Sequence, residues 1–195
     1  MFAPGDALGA GRPLLSDLPG FLPGIAVSLV VSTAASGPAA RVLGLARWRL
    51  FAVFLALGVI LSATLTPFAP DMGSPAEHAG SCNFTLVGPA SWTELLGLGE
   101  VSGNVLLFVP LGASVGWLPL SRLKIAFVVA AMALPFAIEA TQSLVPLLGR
   151  SCEAADVVNN LTGLFVGVAA GTLGGRLVRG RTAPPAATGL FSEQP

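Results

Sequence analysis

Long apolar segments separated by short polar connectors dominate the pattern of this chain. A helix needs about 20 apolar residues to cross the hydrocarbon core of a membrane; four of the segments have about this length, and the first is marginal. The pattern predicts an all-α, polytopic membrane bundle with a four-helix core, one N-terminal helix and no sheet. The segments lie at about residues 21–36, 48–66, 103–120, 125–147 and 157–178.

The composition agrees with a membrane protein. Of the 195 residues, 53% are hydrophobic and 10% are charged, whereas soluble domains contain about 25% charged residues. No basic arm with interleaved aromatic residues is present, so nucleic acid is not an expected partner. The two cysteines do not form the closely spaced Cys/His set that binds zinc, and we expect no metal and no other cofactor.

The charges of the connectors predict the orientation. One set of connectors carries eight bases and no acid before Glu193, and the other set carries eight acids and two bases. Because cytoplasmic connectors are enriched in Lys and Arg, we expect five spans with the N-terminus outside and the C-terminus in the cytoplasm. The basic set comprises Arg41, Arg47, Arg49, Arg122, Lys124, Arg176, Arg179 and Arg181.

The first apolar segment allows other interpretations. Small residues around Ala34 suit the cleavage site of a signal peptide, and a segment this short is also able to lie on the membrane surface. Cleavage would leave Arg41, Arg47 and Arg49 outside, against the positive-inside tendency. Four spans remain if this segment is cleaved or does not cross.

The same topology predicts a disulfide. It places Cys82 in the connector between the second and third segments and Cys152 in the connector between the fourth and fifth. Both connectors lie outside, where disulfides persist. We expect a Cys82–Cys152 disulfide; the alternative is two unpaired cysteines that pack as small apolar residues.

Polar residues converge near the predicted outer leaflet. Glu139 and Gln142 are three positions apart, and Asp156 and Asn160 are four apart, so each pair shares a helix face. An ionisable residue within a membrane segment is costly and marks a functional site by default. The alternative is an ion pair of Glu139 or Asp156 with Arg150 that fixes helix packing. The candidate cluster is Asn104, Glu139, Gln142, Arg150, Asp156 and Asn160.

Glycines at a spacing of four predict close helix packing in the fifth segment. Small residues at this spacing let helix backbones approach each other in lipid. Packing within the chain is the favoured interpretation, and a homodimer is the alternative. The packing set is Gly163, Gly167, Gly171 and Gly175, together with Gly112 in the third segment.

Four ordered motifs make residues 48–178 resemble the VanZ-like family, which is named for a teicoplanin-resistance protein. Glu153 stands where the family commonly has Asp, which conserves the charge. The motifs are Asn104-Val-Leu-Leu-Phe108-Val-Pro110-Leu111-Gly112, Ile138-Glu139-Ala-Thr-Gln142, Arg150-Ser-Cys152-Glu153, and Asp156-Val-Val-Asn-Asn160-Leu-Thr-Gly163 with Gly167; Thr64-Leu65-Thr66-Pro67 fits a further Thr-Leu-x-Pro motif.

The resemblance implies a multi-pass protein of the bacterial cytoplasmic membrane with a role at the cell envelope, contributing to tolerance of glycopeptide antibiotics. It specifies no reaction. The chain then divides into a loose tail (1–20), an N-terminal helix with a basic connector (21–47), the VanZ-like domain (48–178) and a disordered cytoplasmic tail (179–195).

Three functions are compatible with these features. The favoured one is an outer-leaflet polar pocket that binds an envelope ligand or partner, with membrane lipid, a cell-wall precursor or a glycopeptide as candidates. The second is an intramembrane enzyme that modifies lipid or wall precursors with Glu139 as acid and base, although no nucleophile with an obvious base is present. The third is a small transporter.

Overall fold

A bundle of five helices forms the part of the chain that the structure describes. The computed structural model describes residues 20–67, 82–84, 91, 93, 100–148 and 152–182. The predicted all-α membrane bundle is confirmed, with one addition, a parallel strand pair of two residues each. The elements are α1 (Phe21–Leu43), α2 (Arg47–Thr64), β1 (Cys82–Asn83), α3 (Glu100–Gly116), α4 (Arg122–Leu144), a 3₁₀ turn (Pro146–Leu148), β2 (Cys152–Glu153) and α5 (Ala154–Thr182).

Helix α1 is longer than the apolar pattern predicts. It continues past Ala34 and through Pro38 to Leu43, and it is terminated by Gly44, whose φ of 65° lies in the left-handed region that favours glycine. The polar residues that suggested an earlier end are accommodated within the helix, because Ser32 Oγ donates a hydrogen bond to the Ser28 carbonyl oxygen at 2.6 Å. The sequence pattern was wrong on this boundary because it treated such serines as the end of the apolar segment.

Helix α3 is shorter and earlier than predicted. It ends at Gly116, three residues before Pro119, whose ring disfavours helical backbone at the preceding residue. Its 17 residues extend for about 26 Å at 1.5 Å per residue, somewhat less than the roughly 30 Å of a bilayer core. In the described part of the chain, α1, α2, α4 and α5 are long and apolar enough to cross a membrane.

Helices α1 and α2 pack antiparallel through small residues. Gly24 of α1 lies against Ser62 of α2, and Gly58 of α2 lies against Ser28 of α1, with 3.5 Å between the two serine Oγ atoms. The serines of α1 are buried, whereas Val30 is 68% exposed. This polarity is the reverse of a soluble helix and matches helix packing in lipid, where small residues form the contact.

Helices α3 and α5 run parallel and make the most extensive contact in the bundle. A Cβ on Gly163, Gly167 or Gly171 would collide with a backbone carbonyl oxygen of α3. Gly112 of α3 meets the Leu164 carbonyl oxygen in the same way. The predicted packing glycines therefore lie where two backbones touch; Gly175 is also buried.

Adjacent helices in the chain alternate in direction, so the bundle has two chemically different ends. The disulfide end contains Cys82, Cys152 and every acid among the described residues. The basic end contains every described base. Between them lies an apolar core from α2, α3, α4 and α5, formed by Val53, Ala56, Ile60, Phe108, Leu111, Val115, Ala131, Ile138 and Leu164.

Candidate functional site

The predicted disulfide is confirmed and joins two connectors of the bundle. Cys82 and Cys152 are bonded, with their Cα atoms 4.6 Å apart. The two cysteines are also partners in the parallel strand pair, in which Asn83 lies opposite Glu153. The disulfide therefore holds the start of α5 against the connector that precedes α3.

Glu139 is the buried acid of the disulfide end. It lies near the C-terminal end of α4 and is 5% exposed. One of its carboxylate oxygens, Oε2, accepts a hydrogen bond from the backbone N–H of Glu153 at 2.8 Å. Because Glu153 follows Cys152 in β2, the disulfide positions the strand that orients the Glu139 carboxylate.

A groove of about 570 Å³ opens beside Glu139. Its walls come from α4, α5 and the disulfide region, and apart from Glu139 and Ser143 the described side chains that line it are apolar or disulfide-bonded. The groove therefore places one buried carboxylate against an apolar surface. The lining residues are Cys82, Phe84, Phe136, Glu139, Ala140, Ser143, Cys152, Ala154, Val157, Val158 and Leu161.

The other described residues of the predicted cluster do not line this groove. Gln142 is 5% exposed and donates from Nε2 to the Thr64 carbonyl oxygen at 3.0 Å, so it ties α4 to the end of α2. Asn104 and Asp156 are half-buried and do not line the groove. Arg150, which the sequence places within reach of the acids, lies outside the described residues.

Asn160 is the most deeply buried of the cluster residues that the structure describes, at 2% exposure. Its side-chain oxygen Oδ1 has no hydrogen-bond partner among the described residues. An unpaired buried amide oxygen costs about 1–3 kcal/mol. Its neighbour Asn159 is 4% exposed, so two buried amides lie in the interior of the disulfide end, away from the lining of the groove.

The chemistry of the groove rests on a carboxylate. In residues 20–67, 100–148 and 152–182 and the short described pieces between them, no group of three His, Cys, Asp or Glu residues is placed to hold a metal ion. Both cysteines are in the disulfide and offer no thiol. The Ser143 hydroxyl donates to the Ala140 carbonyl oxygen at 2.9 Å, within its own helix. Among the described residues that line the groove, Glu139 therefore carries the one ionisable side chain.

Lys124 is a structural residue that the sequence interpretation missed. It is 7% exposed, and its Nζ donates to the Gly116 carbonyl oxygen at 2.6 Å and to Thr172 Oγ1 at 3.0 Å. It therefore caps the C-terminus of α3 and ties α4 to α5, a favourable place for a cation. The sequence counted it only as a connector base, and no spacing pattern distinguishes it from Arg122.

The chain matches a known protein family over most of its length. The family model described as VanZ/LLP1 matches residues 40–174, which includes α2 to α4, the disulfide and most of α5. No curated protein and no solved structure gave a significant match. The match covers more than half of the chain and confirms the resemblance seen in the motifs. The chain belongs to the VanZ/LLP1 family.

Proposed function

We propose that this membrane protein binds an amphiphilic component of the bacterial cell envelope in the groove at the disulfide end. The observation that carries the proposal is the buried carboxylate of Glu139 in a wall whose other described residues, except Ser143, are apolar or disulfide-bonded. The apolar wall accommodates a hydrocarbon chain. The polar part of the ligand donates a hydrogen bond to Glu139 or places a cationic group beside it.

The position of Glu139 beside the groove supports a role in binding. The backbone N–H of Glu153 donates to Oε2 and orients the carboxylate beside the groove. Burying a carboxylate within a membrane helix costs free energy, and a residue retained at such a cost is a candidate for a function. The disulfide and β2 hold the group in place before a ligand arrives, which lowers the entropic cost of binding.

The proposed orientation puts this groove at the outer leaflet. It rests on the segregation of bases to the opposite end of the bundle and on the disulfide, which persists in an oxidising compartment. An outward-facing groove has access to lipids and lipid-linked wall precursors. Through that access, and by membership of its family, the protein contributes to tolerance of teicoplanin-type glycopeptides.

The test compares Glu139→Gln with two substitutions on α5. Val158→Phe places a larger side chain in the groove. Val166→Phe is the control, because it adds the same bulk at a position that is 54% exposed. We expect Glu139→Gln and Val158→Phe to lose an amphiphile that copurifies with the wild type, seen by mass spectrometry. Both should also lower teicoplanin tolerance in an expressing bacterium, whereas Val166→Phe should retain both properties.

Two outcomes would contradict the proposal. If both groove variants fold and keep the copurified amphiphile, the groove is not the binding site. If they lose the amphiphile but leave teicoplanin tolerance unchanged, the binding part stands and the tolerance part is wrong.

A further inference from the structure

The basic end contains a second groove, between α1 and α2. Its volume is about 500 Å³, and it is lined by Thr33, Ser36, Arg47, Trp48 and Phe51. It lies at the opposite end of the bundle from Glu139 and contains no acid among its lining residues. Its lining instead combines a guanidinium with aromatic and hydroxyl groups.

Arg47 is held in this groove with donors to spare. Its Nε donates to Ser36 Oγ at 3.4 Å, and its Nη2 donates to the Thr33 carbonyl oxygen at 3.0 Å. A guanidinium carries five N–H donors in a planar fork, so these bonds fix the side chain and use only part of its capacity. The remaining donors match the oxygens of a phosphate group, which Arg binds in bidentate fashion.

Further positive charges at this end favour the binding of an anion. Arg49 lies over the Trp48 ring, with its Cζ 5.3 Å from the ring centroid, and its Nε is buried without a hydrogen-bond partner in the described part of the chain. Arg41 lies in the last turn of α1. No described acid lies at this end to neutralise these bases.

The apolar part of the groove indicates what carries the phosphate. Trp48 is 55% exposed and lies at a helix end, where Trp side chains of membrane proteins meet the headgroup region. Phe51, one turn further along α2, extends the same wall toward the apolar faces of α1 and α2. Juxtamembrane clusters of basic residues attract anionic lipids.

We infer that this groove binds the phosphate headgroup of an anionic phospholipid, with Arg47 as the principal ligand and Trp48 and Phe51 against the start of the acyl chains. The site is independent of the groove at Glu139. It would anchor α1 and α2 at the membrane surface, whichever ligand the disulfide end takes.

The test titrates phosphatidylglycerol onto the purified full-length protein and counts bound lipids by native mass spectrometry. Arg47→Gln is compared with Arg176→Gln, an exposed arginine at the same end that removes the same charge. We expect Arg47→Gln to weaken phosphatidylglycerol binding about tenfold, as for the loss of a charge-assisted hydrogen-bonded pair, and Arg176→Gln to weaken it less than twofold. Wild-type binding of phosphatidylcholine should be weaker than that of phosphatidylglycerol.

Equal losses of phosphatidylglycerol affinity in the two arginine variants would show diffuse electrostatic attraction rather than a specific site and would overturn the inference. Equal affinity for phosphatidylcholine would also overturn it. Displacement of phosphatidylglycerol by millimolar inorganic phosphate would identify a free-anion site instead of a lipid site. Arg176→Gln should leave the melting temperature unchanged because Arg176 is exposed. Arg47→Gln should lower it only slightly, because Arg47 is exposed but loses its two hydrogen bonds to α1.

Discussion

The two ends of the bundle use polar residues in opposite ways. At the disulfide end, Glu139, Gln142 and Asn160 are at most 5% exposed, so their polar groups depend on partners inside the protein. At the basic end, Arg47 is exposed, and Lys124 is buried with two hydrogen-bond acceptors. A buried polar group couples binding to stability, whereas an exposed charge affects attraction of a ligand with little effect on folding. Substitutions at the two ends should therefore give defects that can be measured separately, in stability and binding at the disulfide end and mainly in binding at the exposed bases of the basic end.

The contact between α3 and α5 joins the two ends, so its loss should damage both and give the largest effect. In Gly167→Leu, the new side chain would meet the Val109 carbonyl oxygen and force the helices apart. We expect a loss of about 3 kcal/mol or more in the free energy of unfolding. Unfolding in SDS measures it. The matched control is Gly103→Leu, where nothing lies within 4 Å of an added Cβ; equal losses in both variants would refute the contact's role.

Removal of the disulfide should affect the ends unequally. The Cys82→Ala/Cys152→Ala double variant opens a loop closed over a sequence separation of 70 residues and should lose about 2–4 kcal/mol. Because β2 orients Glu139, binding of the copurified amphiphile should fall, while phosphatidylglycerol binding at the basic end should persist. Native mass spectrometry of one preparation measures both. Loss of both activities, or of neither, would contradict the separation.

Lys124→Met should produce the smallest of these stability effects, localised to the basic end. It removes the donor to Gly116 and Thr172, although the Thr172 hydroxyl still donates to the Gly116 carbonyl oxygen at 3.2 Å. We expect a loss of about 1–2 kcal/mol. Arg122→Met, an exposed base in the same turn of α4, should cost less than about 0.5 kcal/mol. Similar melting temperatures for the two variants would show that the Lys124 bonds contribute nothing.

The order of the helices and the disulfide were predictable because they follow from connector charges and from parity. Cys82 and Cys152 are separated by an even number of apolar segments, so they return to the same end of the bundle. The contact between α1 and α2 had a readable signal that was missed. Gly24, Ser28, Ser32 and Ser36 recur every four residues, as do Gly58, Ser62 and Thr66.

The composition of the groove was not predictable. Spacing places Glu139 and Gln142 on one helix face, yet Glu139 turns to β2 and the groove while Gln142 turns to α2. The difference arises from how α4 sits between two neighbours, which depends on long-range packing rather than on periodicity. The burial of Lys124 depends on the early end of α3. It was not predictable either, because it also follows from long-range packing.

The most direct test of the central claim is to locate a bound amphiphile on the protein. A long-chain alcohol with a diazirine in its alkyl chain, photolysed with the membrane-embedded protein, should label peptides that contain Phe136 to Ser143 and Val157 to Leu161. In Glu139→Gln, this labelling should fall while background labelling of the exposed face of α1 stays constant. Labelling of the groove that is equal in both proteins, or no stronger than that of α1, would contradict the claim that Glu139 makes this groove a binding site.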